Sequence, residues 1–232
     1  MILIKSPLRI TFGGGGTDLP SFYNQHEGFL ISATINKYIY IGLNKPFEDY
    51  FLLKYSKYEK EKNINQIKHP IIKKVFQKYL NNKEKVEMQV IADVPAGTGM
   101  GSSGAFTAGL IKAIKVYQNQ SIGHYDLAEK ACQIEIEDLK RNVGKQDQFS
   151  SVYGGINSYK FTKKKVIIEP LKINHITLEN LQDNLCLFFT KFSRSADKIL
   201  RKQNTLTKKK NKEILDNLKY NKELGYQSKI YL

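Results

Sequence analysis

Residues 3–12 and 29–43 read as strands, the second rich in Ile and Tyr with partial alternation of apolar and polar positions. Residues 46–69 are charged and without period, which predicts an irregular surface insertion. Pro70 then opens a helix. The pairs Ile71/Ile72, Val75/Phe76 and Tyr79/Leu80 recur at spacing four and give that helix one apolar face. Val86 to Val94 alternates as a strand, and a Gly/Ser loop over 95–104 leads into an apolar helix from Ala105 to Tyr117. A second helix is expected from Tyr125 to Lys140, then a Gly-containing loop at 142–147 and a short helix or turn. Strands are expected near 156–161, 165–171 and 184–190, and from Arg194 the pattern is helical and lysine-rich.

Strands and helices mix without regular alternation or internal repeat, which predicts an α+β two-layer sandwich rather than a doubly wound sheet. A length of 232 residues suits one or two domains. No apolar run approaches a membrane span, and Met1 to Lys5 leads into a strand with no secretory pattern. The expected location is the cytoplasm, with no membrane partner. Cys132 and Cys186 both have apolar sequence neighbours and are expected as buried free thiols, while the four histidines show no metal-ligand spacing.

The net charge of +15 changes the picture only in part. A basic surface attracts phosphorylated small molecules, nucleotides or nucleic acid. Lys, Asn and Ile are abundant throughout, so a solvated lysine-rich surface accounts for most of the charge. The tract Lys208-Lys209-Lys210 is too short for a nucleic-acid arm, and no nucleic-acid partner is expected.

Two glycine-rich segments carry candidate chemistry. Pro95-Ala96-Gly97-Thr98-Gly99-Met100-Gly101-Ser102-Ser103-Gly104 lies between a strand and a helix, where backbone N–H groups and the helix N-terminus make an anion cradle. Ser102 and Ser103 can add hydroxyls, one to a phosphate and one to Mg2+. No lysine follows Gly101, which excludes a Walker loop. Gly99-x-Gly101-x-x-Gly104 matches a dinucleotide fingerprint, yet a helix follows where that motif needs a strand. The second segment is Pro7-Leu8-Arg9-Ile10-Thr11-Phe12-Gly13-Gly14-Gly15-Gly16-Thr17-Asp18. Arg9 in an apolar strand calls for a carboxylate or phosphate partner. The glycines, Gly14 and Gly15 among them, let a ligand lie against backbone, and Asp18 beside Thr17 offers an acceptor for vicinal hydroxyls.

Of the acids downstream, Glu135 shares a small apolar helix face with Ala128, Ala131 and Cys132, whereas Glu137 sits with Lys130 and Gln133. Glu135 is therefore the candidate Mg2+ ligand. Asp147, in Gly144-Lys145-Gln146-Asp147-Gln148, reads on its own as a turn former.

Pro95 to Ser103 resembles the second motif of the GHMP kinases, with Met100 in place of the usual leucine. The Gly-Gly-Gly-Thr-Asp form of the first segment is similar to the heptose 7-phosphate kinase branch of that family. Arg9 to Asp18 spans nine positions and Glu135 to Asp147 spans 12, both as in the sugar kinases. The resemblance implies ATP and Mg2+ as cofactors and a small-molecule sugar phosphate as substrate. It implies that Pro95, Gly97, Thr98, Gly99, Gly101, Ser102 and Ser103 bind the nucleotide and that Ser103 and Glu135 bind Mg2+. Asp147 would be the base, Arg9 its partner, and Gly14, Gly15, Thr17 and Asp18 the substrate site. The implied reaction is transfer of the γ-phosphate to the anomeric hydroxyl of a heptose 7-phosphate. Fucose- or galactose-type sugar kinases, or an inactive binding protein, are the alternatives.

The resemblance covers roughly residues 5–200, including Ser193-Arg194-Ser195-Ala196. The family's third, C-terminal glycine-rich motif is not found after residue 155. The expected domains are therefore 1–190, the N-terminal kinase domain, and 191–232, the start of an incomplete second domain. That expectation brings weak turnover and association into homo-oligomers.

Overall fold

The structure, a computed structural model, describes residues 1–191 and 196–232. Its frame is strand β2 (Gly28–Asn44), whose 17 residues serve three partners. Strand β1 (Ile2–Gly13) runs antiparallel to nearly all of it. Strand β5 (Glu87–Ala92) pairs with the Ile39–Asn44 half, and β6 (Ile156–Phe161) pairs with the Gly28–Ala33 half. Strands β3 (Phe51–Lys54) and β4 (Tyr58–Glu61) extend the sheet beyond β5, and β7 (Val166–Pro170) extends it beyond β6. Seven strands result, antiparallel except where β3 meets β5.

Helix α3 (Ser102–Tyr117) is buried along most of its length and packs on β1 and β2. A helix apolar nearly all round belongs inside a core. Gly109 lets it close on the sheet: a Cβ there would lie 3.0 Å from Ile41 Cδ1. Helices α2 (Pro70–Tyr79) and α4 (His124–Cys132) flank α3, and α5 (Gln146–Tyr153) packs against both α3 and α4. The α2 start is fixed by Pro70 at the first turn and by the His69 ring, which accepts from Ile72 N at 3.3 Å.

Helices α1 (Pro20–His26), α6 (His175–Asp183), α7 (Ala196–Lys208) and α8 (Lys212–Tyr231) complete the described α-helices. Leu30 faces the cluster of Phe149, Tyr159 and Phe161. Pleat alternation turns its neighbour Phe29 to the other side, where Tyr226 stacks on it with centroids 3.9 Å apart. Helix α8 therefore crosses the face of the sheet opposite α4 and α5. No described helix is long and apolar enough to cross a membrane.

The α+β class holds, and β6 runs over the residues expected of it. Four expectations are corrected. Residues 46–69 contain β3 and β4, and Phe51, Leu53, Ile64 and Ile67 are buried in the main core. Lysines and glutamates on their exposed sides hid that alternation. The helix over 125–140 is α-helical only to Cys132, and residues 133–138 form a wider π-helical stretch. Residues 184–190, expected as a strand, follow α6 without regular structure, and Leu187, Phe188 and Phe189 are exposed there. Cys132 is buried as expected, but Cys186 lies in that same segment and is exposed. The stretch Ser193 to Ala196 reaches outside the described residues.

Candidate active site

The loop after β5 is held at both ends. Asp93 pairs with Tyr38 twice: its carboxylate accepts from Tyr38 N at 2.8 Å and its own N–H donates to Tyr38 O at 3.0 Å. Met100 is buried in the main core. Along it Gly97, Gly99 and Gly101 take left-handed φ of 80°, 78° and 77°, which side chains disfavour. The Thr98 hydroxyl closes a turn on Pro95 O at 3.2 Å. Gly101 caps α3, so the unbonded N–H groups of its first turn, with Ser102 and Ser103, open the helix.

Ser103 is the hub of a polar cluster. Its hydroxyl donates to Glu135 Oε2 and accepts from Arg141 Nη1 at 2.5 Å. Arg141 Nη1 also donates to Glu135 Oε2 at 2.6 Å, and Gln148 Nε2 donates to Glu135 Oε1 at 2.9 Å. Glu135 is fully buried, and burial pushes its carboxyl up against the opposing pull of Ser103, Arg141 and Gln148. The π-helical stretch that carries Glu135 is the kind of local helix distortion often found at functional sites.

Asp147 lies in the first turn of α5 and faces the same loop. A Cβ on Gly104 would lie 2.5 Å from Asp147 Cβ, so only glycine lets α3 and α5 meet there. Arg9 donates to Asp147 Oδ1 from Nε at 2.9 Å and from Nη2, and to Gly99 O from Nη1 at 2.7 Å. The Arg9 backbone N–H also donates to Met100 O at 3.2 Å. A register shift in β1 between Pro7 and Arg9 accompanies this turn toward the loop.

Asp18 is buried and accepts from Gln146 N at 3.0 Å, at the start of α5. Burial raises its carboxyl above the ordinary value, and the Asp147 charge adds to this. Gly144 is required beside it, because a Cβ there would overlap the Asp18 carboxylate. Thus Arg9, Asp18, Ser103, Glu135 and Asp147, from five separate segments, form one polar site around the α3 N-terminus.

Other residues of the first glycine segment are turned away from it. The Thr17 hydroxyl is buried, donating to Gly14 O at 2.7 Å and accepting from Phe29 N at 3.1 Å. It locks the glycine run and has no exposed surface. A Cβ on Gly14 would overlap Phe29 O. Gly15 alone of the run is open, with Thr11 Cγ2 the nearest atom at 3.8 Å from a built Cβ.

Residues 65–155 match the sequence family of the GHMP kinases N terminal domain. The chain carries a GHMP kinase N-terminal domain. It is 32% identical over 210 residues to a D-glycero-alpha-D-manno-heptose 7-phosphate kinase of Campylobacter jejuni, covering 85% of this chain and 62% of that protein. It is 26% identical over 157 residues to a galactokinase of Thermotoga petrophila, covering 65% of this chain and 43% of the relative. The crystal structure of a D-glycero-D-manno-heptose 1-phosphate kinase from Bacteriodes thetaiotaomicron superposes with a TM-score of 0.74. That likeness, at 24% identity over 93% of this chain and 74% of the other, shows the shared fold. The chain thus spans under two thirds of the length of the curated relatives named here.

Within this GHMP kinase domain, reasoning from sequence missed Arg141. The signal was present: of 37 basic residues only Arg9, Arg141, Arg194 and Arg201 are arginine. In a lysine-biased chain, an arginine marks a place where a planar, multi-donor cation is needed. It also missed Gln146, whose amide donates to Thr11 Oγ1 at 2.5 Å and ties α5 to β1.

Proposed function

We propose that this chain forms the nucleotide- and sugar-binding part of a cytoplasmic kinase. It moves the γ-phosphoryl of ATP to the anomeric hydroxyl of a heptose 7-phosphate. The observation that carries this reading is the Arg9–Asp147 pair set against the glycine loop and the α3 N-terminus. In this reading residues 1–190 form the first kinase domain and 191–232 the first helices of the second.

Backbone N–H groups from Gly97 to Ser103, including those at Thr98, Gly99, Gly101 and Ser102, receive the nucleotide phosphates beside Pro95. Both Arg9 bonds to Asp147 fall on Oδ1, which leaves Oδ2 to take the proton of the attacking hydroxyl. The hydroxyl oxygen bonds to the γ-phosphorus as the bond to the β–γ bridging oxygen breaks, and ADP leaves. Arg9 fixes the base and the loop together, the positioning on which phosphoryl transfer depends. Asp18 and the open backbone at Gly15 hold sugar hydroxyls, with Gly14 and Thr17 shaping that wall.

Ser103 and Glu135 fit a Mg2+ ion. They offer two hard oxygens, and a guanidinium already bridges them. Mg2+ is commonly held by one or two carboxylates with the rest of its shell from phosphates and water. Bound there, it would neutralise charge on the transferred phosphoryl group.

The test is a coupled turnover assay with Asp147→Asn, alongside calorimetry of Mg·ATP on Ser103→Ala. Loss of a general base costs about 10² to 10⁴ in rate, and weaker Mg·ATP binding is expected for Ser103→Ala. Unchanged turnover in the first and unchanged binding in the second would reject the reading. Competition by heptose 7-phosphates, and none by homoserine or mevalonate, is the pattern expected for the substrate. Competition by galactose or fucose instead would assign the domain to another sugar.

A further inference from the structure

We propose that Arg141 is a resident cation: its guanidinium occupies the divalent-metal position between Ser103 and Glu135 and is exchanged for the metal when nucleotide arrives. This rests on the reading that Ser103 and Glu135 form the metal site.

The geometry makes the two cations mutually exclusive. Arg141 Nη1 donates both to Ser103 Oγ, at 2.5 Å, and to Glu135 Oε2, at 2.6 Å. Ser103 spends its proton on Glu135 Oε2, so the lone pairs that Arg141 takes are those a metal needs. One site cannot give the same oxygens to both.

Burial explains why a cation stays there. Glu135 is fully buried, and a carboxylate out of water is costly unless paired and hydrogen-bonded. The Arg141 side chain is 33% exposed, so it reaches Glu135 from the solvent side and can withdraw the same way. Its anchorage suits such movement. Arg141 N donates to Glu135 O at 2.9 Å just after the π-helical stretch, and the preceding residue, Lys140, has a φ of 51°. The backbone is thus held while the side chain alone has to move.

A second observation shows that the guanidinium satisfies the pocket incompletely. Gln148 donates its amide to Glu135 Oε1, yet its own Oε1 is buried with no hydrogen-bond partner among the described residues. A buried acceptor left over beside the carboxylate is suited to a hydrated divalent ion, whose waters are donors. Arg141 therefore keeps Glu135 paired in the nucleotide-free protein and suppresses metal binding until phosphate oxygens supply the rest of the metal shell.

The experiment uses the full chain without nucleotide, as wild type, Arg141→Gln, Arg141→Lys and the double variant Arg141→Gln/Glu135→Gln. Free Mn2+ is titrated by electron paramagnetic resonance, and melting temperature is followed with EDTA or Mg2+. Arg141→Gln should bind Mn2+ about ten- to a hundredfold more tightly than wild type, the equivalent of one competing charge-assisted hydrogen bond. It should melt lower than wild type in EDTA and regain stability in Mg2+, whereas wild type responds to neither. Arg141→Lys should tighten Mn2+ in the same direction by a smaller factor, and it carries the test if Arg141→Gln does not fold. Mn2+ affinity no tighter than wild type in the folded Arg141 variants overturns the proposal. If the gain in Arg141→Gln survives in the double variant, the metal lies elsewhere, and the assignment of Ser103 and Glu135 fails as well.

Discussion

The two glycine runs, Gly13–Gly16 and Gly97–Gly101, look alike as sequence and do different work. In the first, at every position but Gly15, the space of the missing side chains is filled by protein. Gly13 faces Ser228, Leu224 and Gly225 of α8, Gly14 faces Phe29 and Leu30, and Gly16 faces Gln203, which donates to Gly16 O at 3.0 Å. In the second run no atom lies within 4 Å of a built Gly99 Cβ, while every glycine has positive φ. Here glycine is needed for backbone conformation, with open space at Gly99 and the Asp147 side chain 3.1 Å from a built Gly101 Cβ. Glycine run one, Gly15 apart, is a packing joint, and glycine run two is set by backbone conformation and lies open at Gly99.

The sharpest way to break this contrast is Gly14→Ala. Its φ of 85° and the overlap with Phe29 O act together, and a loss of at least about 3 kcal/mol in thermal or urea unfolding is expected. Wild-type stability in that variant would end the packing account. Gly99→Ala should lose about 1–2 kcal/mol, the strain of a left-handed residue, with the larger deficit in Mg·ATP affinity measured by calorimetry. Equal deficits in the two variants would erase the distinction.

Asp18→Asn tests the acid that follows the first run. Burial raises this carboxyl above its ordinary 3.8, so its protonated form suits the fold better. That favourable contribution is complete below the ordinary value and is lost as pH rises through the raised one. The Asn variant should therefore melt above wild type at neutral pH, with the gap closing below pH 3.8, and should bind sugar phosphate more weakly. Melting curves across pH that run parallel would count against it. The smallest effect belongs to Gly15→Ala. With open space at its Cβ, stability should move by less than about 0.5 kcal/mol, and any change should appear only in sugar-phosphate affinity.

Local chemistry was legible in the sequence wherever one segment carries its own signal. The Pro70 helix, β6 and the glycine loop before α3 fall where period and turn residues put them. Glu135 was readable because a charged residue on a small apolar helix face needs a reason to be there. The rest depends on distant partners. Nothing near Gly13 in sequence announces Gly225, more than two hundred positions away, and nothing near Glu135 says that the helix widens into a π turn and returns Arg141 to it. Residues 184–190 show the reverse case. Their apolar run from Leu185 to Phe189 is real, but a strand also needs a neighbour, and none of the described strands pairs with them.

Gly104 against Asp147 bears on how such a site withstands change in the rest of its sequence. Where two elements meet through interlocking side chains, their separation drifts with every exchange of a leucine for a methionine. Here α3 and α5 meet main chain on main chain, the built Gly104 Cβ coming within 2.9 Å of Asp147 C and Gln148 N. The spacer is the thickness of the peptide backbone itself, a gauge that no neighbouring substitution can re-cut. A chain whose surface is rich in lysine and asparagine can therefore keep the distance from glycine loop to acid, provided that one position stays glycine.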